Sequence, residues 1–158
     1  MSLIFNADEA LEIAEQIERD GADFYRKAAD NIQDMDKKDF LLELAEREIE
    51  HEKTFKSIRA HLSSEDLKAT TYDPEGEEAA YLKSLADTRV FFEKEMNTET
   101  LEGILKSALA AEKDSIAFYV GMKKIVTSES GKKKLDEIIK EEMSHIHLLN
   151  QELLSLSG

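Results

Sequence analysis

The sequence predicts an all-α protein, a four-helix bundle with one long crossover that contains a short extra helix. Three observations lead there. Six glycines and one proline in 158 residues leave too little turn chemistry for an all-β fold. Apolar residues recur at alternating spacings of three and four along four long stretches, the pattern of one buried helix face. Those stretches form two closely joined pairs separated by residues 63–97, and a long crossover is what lets a second antiparallel pair start from the same end as the first.

The first helix opens at Asn6, which can cap it while Glu9 reaches back, and it runs to about Asn31. The second starts after Asp34 or Asp36 and ends near Leu62, before Ser63-Ser64. Inside the crossover, Asp73-Pro74 makes a helix start with proline at the first helical position. Ala79, Ala80, Tyr81, Leu82, Leu85 and Ala86 then suggest a short helix packed outside the main body. The third long helix is expected from about Thr98 to Val126, with a turn at 127–131. The fourth is expected from about Lys132 to Leu156. One domain covers 1–158, built from pseudo-repeats 8–62 and 102–156.

Composition narrows the function. Lys and Arg total 21 against 35 Asp and Glu, a formal charge of −14, which argues against nucleic-acid binding. No stretch approaches the roughly 18 apolar residues of a spanning helix, so no membrane role is expected and the chain reads as cytoplasmic. Cysteine is absent, which removes disulfides, thiolate-bound metals and thiol nucleophiles.

The repeat carries the chemistry. Shifting the chain by 94 residues superposes Leu11 on Leu105, Glu18 on Glu112, Tyr25 on Tyr119, Glu48 on Glu142 and His51 on His145. The apolar seam of the second helix reads Leu41, Leu44, Glu48, His51, Phe55, Ile58, Leu62, and that of the fourth reads Leu135, Ile138, Glu142, His145, Leu149. The first gives Leu11, Ala14, Glu18, Gly21, Tyr25, Ala28, Ile32. The third gives Leu105, Ala108, Glu112, Ser115, Tyr119, Met122, Val126. Four glutamates and two histidines thus stand where a bundle needs hydrophobes. Buried carboxylates without compensation are prohibitive. Two divalent cations would balance four carboxylates and two neutral imidazoles. In each Glu-x-x-His the two ligands lie one turn apart on one face, and Glu18 and Glu112 complete a pair of N/O sites of the kind known in dimetal bundles. A single Glu-x-x-His is commonplace; two in register on buried seams are not. His61 and His147 are expected at the surface and Lys132-Lys133-Lys134 as a solvated helix start. The repeated pairs Asp20/Asp114 and Glu43/Glu137, off the seam, are expected to make salt bridges or caps, and Gly21 and Ser115 give either close packing or room for a small oxidant.

With Glu-x6-Tyr followed by Glu-x-x-His, twice, the chain resembles the rubrerythrin branch of the ferritin-like superfamily, over nearly everything but the crossover. The resemblance implies a ferritin-like four-helix bundle and two irons held by Glu18, Glu48, His51, Glu112, Glu142 and His145. It also implies that Tyr25 and Tyr119 hydrogen-bond to ligand carboxylates. Typical rubrerythrins carry a four-cysteine rubredoxin domain, without counterpart in this sequence. They also carry an extra Glu three residues past the third-helix ligand, a group that takes part in redox-linked iron movement; here it is Ser115. The expected function is a diiron-carboxylate oxidoreductase acting on dioxygen or hydrogen peroxide, or a ferroxidase, served by a separate electron-donor protein. Iron storage without peroxide turnover and a metal-free helical scaffold are the alternatives. Mn or Zn could replace Fe at such ligands, and a homodimer is left open.

Overall fold

The computed structural model describes residues 6–62, 77–88 and 99–156. They form α1 (Ala7–Asp30), α2 (Met35–Ala60), α3 (Glu77–Thr88), α4 (Leu101–Met122) and α5 (Glu129–Ser155), with no strand among the described residues. The long helices α1 and α2 pack as one hairpin, α4 and α5 as another, and contacts of α1 with α4 and of α2 with α5 join the two into a four-helix bundle. No described helix is long and apolar enough to cross a membrane.

Side-chain caps decide where the helices begin. Asn6 accepts from the Glu9 amide, Asp34 from those of Asp36 and Lys37, and Thr100 from that of Gly103, each satisfying amides that the first helical turn leaves unpaired. Three expected boundaries shift. The third long helix, α4, starts at Leu101 rather than near Thr98 and stops at Met122. The fourth, α5, starts at Glu129, three residues before the expected Lys132, because Ser128 serves as its cap and accepts from the Gly131 amide. The turn expected at 127–131 therefore contains the first helical residues of α5, and Lys132-Lys133-Lys134 lie within its first turns. The helix start expected at Asp73-Pro74 lies outside the described residues. The short crossover helix is α3, which packs on α4 through buried Leu82 and Ala86, while Tyr81 is exposed.

Each seam is buried along its length, with only Ile32 and Leu62 half-exposed at its ends. The apolar core divides into two clusters. One gathers Leu11, Ala14, Phe55, Ile58, Leu82, Phe118, Tyr119, Met122 and Leu135; the other gathers Tyr25, Ala28, Leu41, Leu44, Ile104, Leu105, Ala108 and Leu149. Between them in sequence, on all four long helices, lie the six polar seam residues. Ion pairs fasten the helices outside the core: Arg59 on α2 reaches Asp8 (2.7 Å), Glu15 (3.3 Å) and Glu12 (3.4 Å) on α1, and Lys37 pairs with Glu152 across α2 and α5.

Gly131 is a tight joint at the start of α5. A Cβ there would stand 2.7 Å from Ser128 Oγ and 2.9 Å from Val126 Cγ1, against the cap itself and a fully buried side chain. Helix propensity alone would reward alanine by about 1 kcal/mol, while overpacking costs about 1–3 kcal/mol. Gly131→Ala is therefore expected to destabilise the protein by about 1 kcal/mol. Denaturant unfolding checks the sign: a rise in the midpoint would mean that the cap yields freely.

Candidate metal centre

The six polar seam residues converge. Glu18 comes from α1, Glu48 and His51 from α2, Glu112 from α4, and Glu142 and His145 from α5; all are at least 96% buried. Two overlapping groups offer ligand atoms within 4.8 Å of one another. Glu18, Glu48, His51 and Glu142 form one; Glu48, Glu112, Glu142 and His145 form the other. Glu48 and Glu142 belong to both, so the two positions share a pair of carboxylates. The shared role of Glu142 is visible in its contacts: Oε1 lies 2.8 Å from His51 Nδ1, and Oε2 lies 3.4 Å from His145 Nδ1. His51 Nδ1 is also 3.6 Å from Glu18 Oε1, and His145 Nδ1 is 3.8 Å from Glu48 Oε1. The two rings stack with centroids 5.9 Å apart.

The tyrosines cross between hairpins. Tyr25 on α1 donates to Glu112 Oε1 on α4 at 2.9 Å, and Tyr119 on α4 donates to Glu18 Oε1 on α1 at 2.8 Å. Each is rooted in a different apolar cluster and extends its hydroxyl to the polar layer. One oxygen of each non-shared carboxylate is thereby pinned, and the other is left without a partner.

That remainder is general to the site. Among the described residues, the buried side-chain oxygens and nitrogens lacking a hydrogen-bond partner are Glu18 Oε2, Glu48 Oε1, His51 Nε2, Glu112 Oε2, Glu142 Oε2 and His145 Nδ1, one on each of the six residues. Orphaned buried acceptors ordinarily cost about 1–3 kcal/mol each. The four carboxylate oxygens and His145 Nδ1 are what a metal-ion pair would satisfy, whereas on His51 the nitrogen that faces the carboxylates is Nδ1 and the orphaned Nε2 faces Glu141. The donor set fits hard or borderline divalent ions.

Protein groups alone leave the centre protonated. Burial raises Glu18 above the ordinary carboxylate value, against the pull of His51, and burial with the Glu142 charge raises Glu112 well above it. Burial opposes charge on His51, yet its hydrogen bonds to Glu142 and Glu18 push it up to about 12, and Glu142 raises His145 in the same way. Tyr25 and Tyr119 are held well above their usual range, first by burial and then by Glu112 and Glu18 respectively, so both remain donors.

The two histidines outside the cluster lie at the surface, as expected. His61 and His147 are exposed, His61 Nδ1 lying 2.8 Å from the Ser57 carbonyl. Asp20 accepts from Gln16, and Glu43 and Glu137 are exposed. Ser115 is buried, but its hydroxyl donates to the Ala111 carbonyl at 2.8 Å. Two acids escaped the periodicity. Glu15 is buried off the seam and pairs with Arg59. Glu141, also off the seam, places Oε2 3.1 Å from His51 Nε2. The only sequence signal for it is its position beside Glu142, on the edge of α5 that turns toward α2.

Two outcomes follow from the protonation. Without metal, the native centre binds more protons than the unfolded chain, since Glu18, Glu112, His51 and His145 are all raised. Stability from these groups is present below their unfolded values, near 4.5 and 6.5, and is lost as pH rises through the raised folded values. Metal uptake must expel those protons, so it strengthens with rising pH. The gap in melting temperature between metal-loaded and chelator-treated protein should widen from pH 6 to pH 8; a constant gap would contradict this centre. Replacing Glu48 and Glu142 together by Gln should destabilise the chelated protein less than the metal-loaded one, because the lost pairing of Glu142 with His51 and His145 is offset by the relief of two buried carboxylates. The same change should abolish the metal's stabilisation, about 2.7 kcal/mol at a hundredfold excess over Kd.

Comparison with known proteins agrees with this architecture. No curated protein matches the sequence. A crystal structure at 2.30 Å of a Thermotoga maritima protein, assigned to the ferritin-like diiron-carboxylate proteins, superposes with a TM-score of 0.72 over 97% of both chains at 22% identity, which establishes the ferritin-like fold. The family model for rubrerythrin matches residues 9–154. With the fold, the doubled Glu-x-x-His and a match over nearly the whole chain, this protein belongs to the rubrerythrin family.

Proposed function

We propose that the protein is a diiron-carboxylate oxidoreductase that reduces hydrogen peroxide or dioxygen, or oxidises ferrous iron. The observation that carries this reading is the sharing of Glu48 and Glu142 by two ligand groups, which favours two adjacent ions over two independent ones. A pair of bound irons would supply one electron each to an O–O bond, the reason to favour iron over manganese or zinc at N/O ligands that do not themselves select it. Glu18, Glu48 and His51 would hold one ion with Glu142; Glu112, Glu142 and His145 would hold the other with Glu48.

The remaining chemistry belongs to the chain. Tyr25 and Tyr119 fix which oxygen of Glu112 and Glu18 faces inward. Their hydroxyls are neutral donors, so they hold those carboxylates in place without adding charge to the centre. The core excludes water on both sides through Phe55, Tyr119 and Met122 in one cluster and Tyr25, Ala108 and Leu105 in the other. No cysteine or other redox group lies in the sequence, so electrons for repeated turnover would come from a separate donor protein, and a cytoplasmic setting suits such a partner.

Ser115 favours slow turnover and keeps iron storage as the second reading. Its hydroxyl is occupied by the Ala111 carbonyl, so it presents no anion at the position where rubrerythrins resemble one another in having Glu. Elemental analysis and a visible spectrum of anaerobically purified protein should find two irons per chain; a protein that takes up neither iron nor another divalent ion would end the proposal. Single-turnover oxidation of the diferrous protein by peroxide should be slow in the wild type. Ser115→Glu should accelerate it about tenfold, a barrier change of roughly 1.4 kcal/mol. Equal rates in the two proteins would remove Ser115 from the explanation, and no oxidation by either oxidant would leave storage.

A further inference from the structure

The two histidines have unlike surroundings. The inward nitrogen of His51 is Nδ1, which faces Glu142 and Glu18. Its outward nitrogen, Nε2, lies 3.1 Å from Glu141 Oε2 on α5. The approach is off the N–H axis, so Nε2 has no aligned acceptor, although the His51 side chain is 4% exposed. Glu141 is 38% exposed, so its carboxylate stands between His51 and solvent. Its other oxygen, Oε1, is 3.7 Å from Arg47 Nε, and Arg47 in turn meets Glu50 at 3.4 Å. Arg47 and His51 stand one turn apart on α2 and bracket the Glu141 carboxylate from the same side.

The repeat makes this lopsided. Glu141 and Arg47 occupy equivalent positions, 94 residues apart, immediately before Glu142 and Glu48. Where His51 has a carboxylate behind it, the position equivalent to that carboxylate on the His145 side is an arginine, which has no acceptor to offer. A ligating imidazole needs its far N–H held by an acceptor to fix the tautomer and the ring plane, and an anionic acceptor also makes the near nitrogen a better donor.

We infer that Glu141 is a positioning residue for His51, and that its replacement by Arg47 in the other half makes the two metal positions unequal, the one at His51 binding more tightly. The inference rests on the dimetal reading above and deepens it. Loss of such an outer carboxylate typically weakens metal binding about 10- to 100-fold, and that is the size expected here, at one position only.

The test is site-resolved zinc binding. The chain has four histidines, so selective 15N-histidine labelling yields a spectrum in which His51 and His145 can be followed separately. On titrating chelated protein with Zn(II), the His51 Nδ1 resonance should respond at lower zinc than that of His145, and in the bound form His51 should be the Nε2–H tautomer. In Glu141→Gln the His51 response should move to about 10- to 100-fold higher zinc while that of His145 holds. The double variant Arg47→Glu with Glu141→Arg keeps the ion pair and moves the carboxylate behind His145, so the order of filling should reverse. Unchanged His51 affinity in Glu141→Gln, equal weakening at both histidines, or an order that survives the exchange would overturn the inference and leave the dimetal reading standing. No zinc response at either histidine would overturn both.

Discussion

Four carboxylates closed into the core of a small helical bundle set the terms for everything around them. In water each would be hydrated; between α1, α2, α4 and α5 each is at most 1% exposed. A buried ionised carboxylate with no compensation costs several kcal/mol after relaxation, against the 5–15 kcal/mol of net stability usual for a domain. The fold cannot hold this cluster charged on its own terms. It either keeps protons there, as the raised values of Glu18 and Glu112 indicate, or exchanges them for cations. Two divalent ions cancel the four negative charges while leaving both imidazoles neutral, which protons do not achieve with the same ligand geometry.

The surrounding structure is arranged to make that exchange local. Apolar clusters close the polar layer above and below, so six of the buried ionisable residues are gathered on neighbouring turns, with Glu15 apart from them and paired to Arg59. The tyrosines do double service: their rings are counted among the apolar clusters, yet their hydroxyls satisfy one oxygen each of Glu18 and Glu112. Because each tyrosine reaches from one hairpin to the carboxylate of the other, the site also ties the hairpins together. The helices of α1–α2 and α4–α5 could pair separately; the crossed hydrogen bonds and the shared Glu48 and Glu142 require both.

What could be read from the sequence follows from this division. The seam alternates three and four, so a polar residue on it is recognisable without coordinates, and Glu18, Glu48, His51, Glu112, Glu142 and His145 all lie on the seam. Tyr25 and Tyr119 needed the resemblance as well, since a seam tyrosine is otherwise an ordinary core ring. The N-terminus of α5 was misplaced because Ser128 and Gly131 look like a turn when read as composition, whereas one serine hydroxyl accepting one amide turns the same residues into a cap and a first turn. Glu15 and Glu141 lay beyond periodicity altogether. Both sit at the margin of a helix face, and whether a margin residue meets solvent or a partner depends on the rotation and spacing of the neighbouring helix, here set by Arg59 for the one and by His51 and Arg47 for the other.

The pattern of departure from the twofold repeat carries the final argument. Positions whose side chains would bind the metals directly are identical in the two halves, and so are the tyrosines that orient them. The differences fall one step outward: Gly21 against Ser115 beside the first pair of carboxylates, and Arg47 against Glu141 behind the histidines. A change at a ligand would leave a buried charge uncompensated and endanger the fold, whereas a change one step out alters only how firmly a ligand is held and what can approach it. Chemical difference between the two ions can therefore arise in this layer without dismantling the charge balance on which the bundle stands. A symmetric ligand set inside an asymmetric shell would suit a centre whose two ions had unequal parts in one reaction, because the ligands would keep both ions adjacent while the shell tuned each one separately.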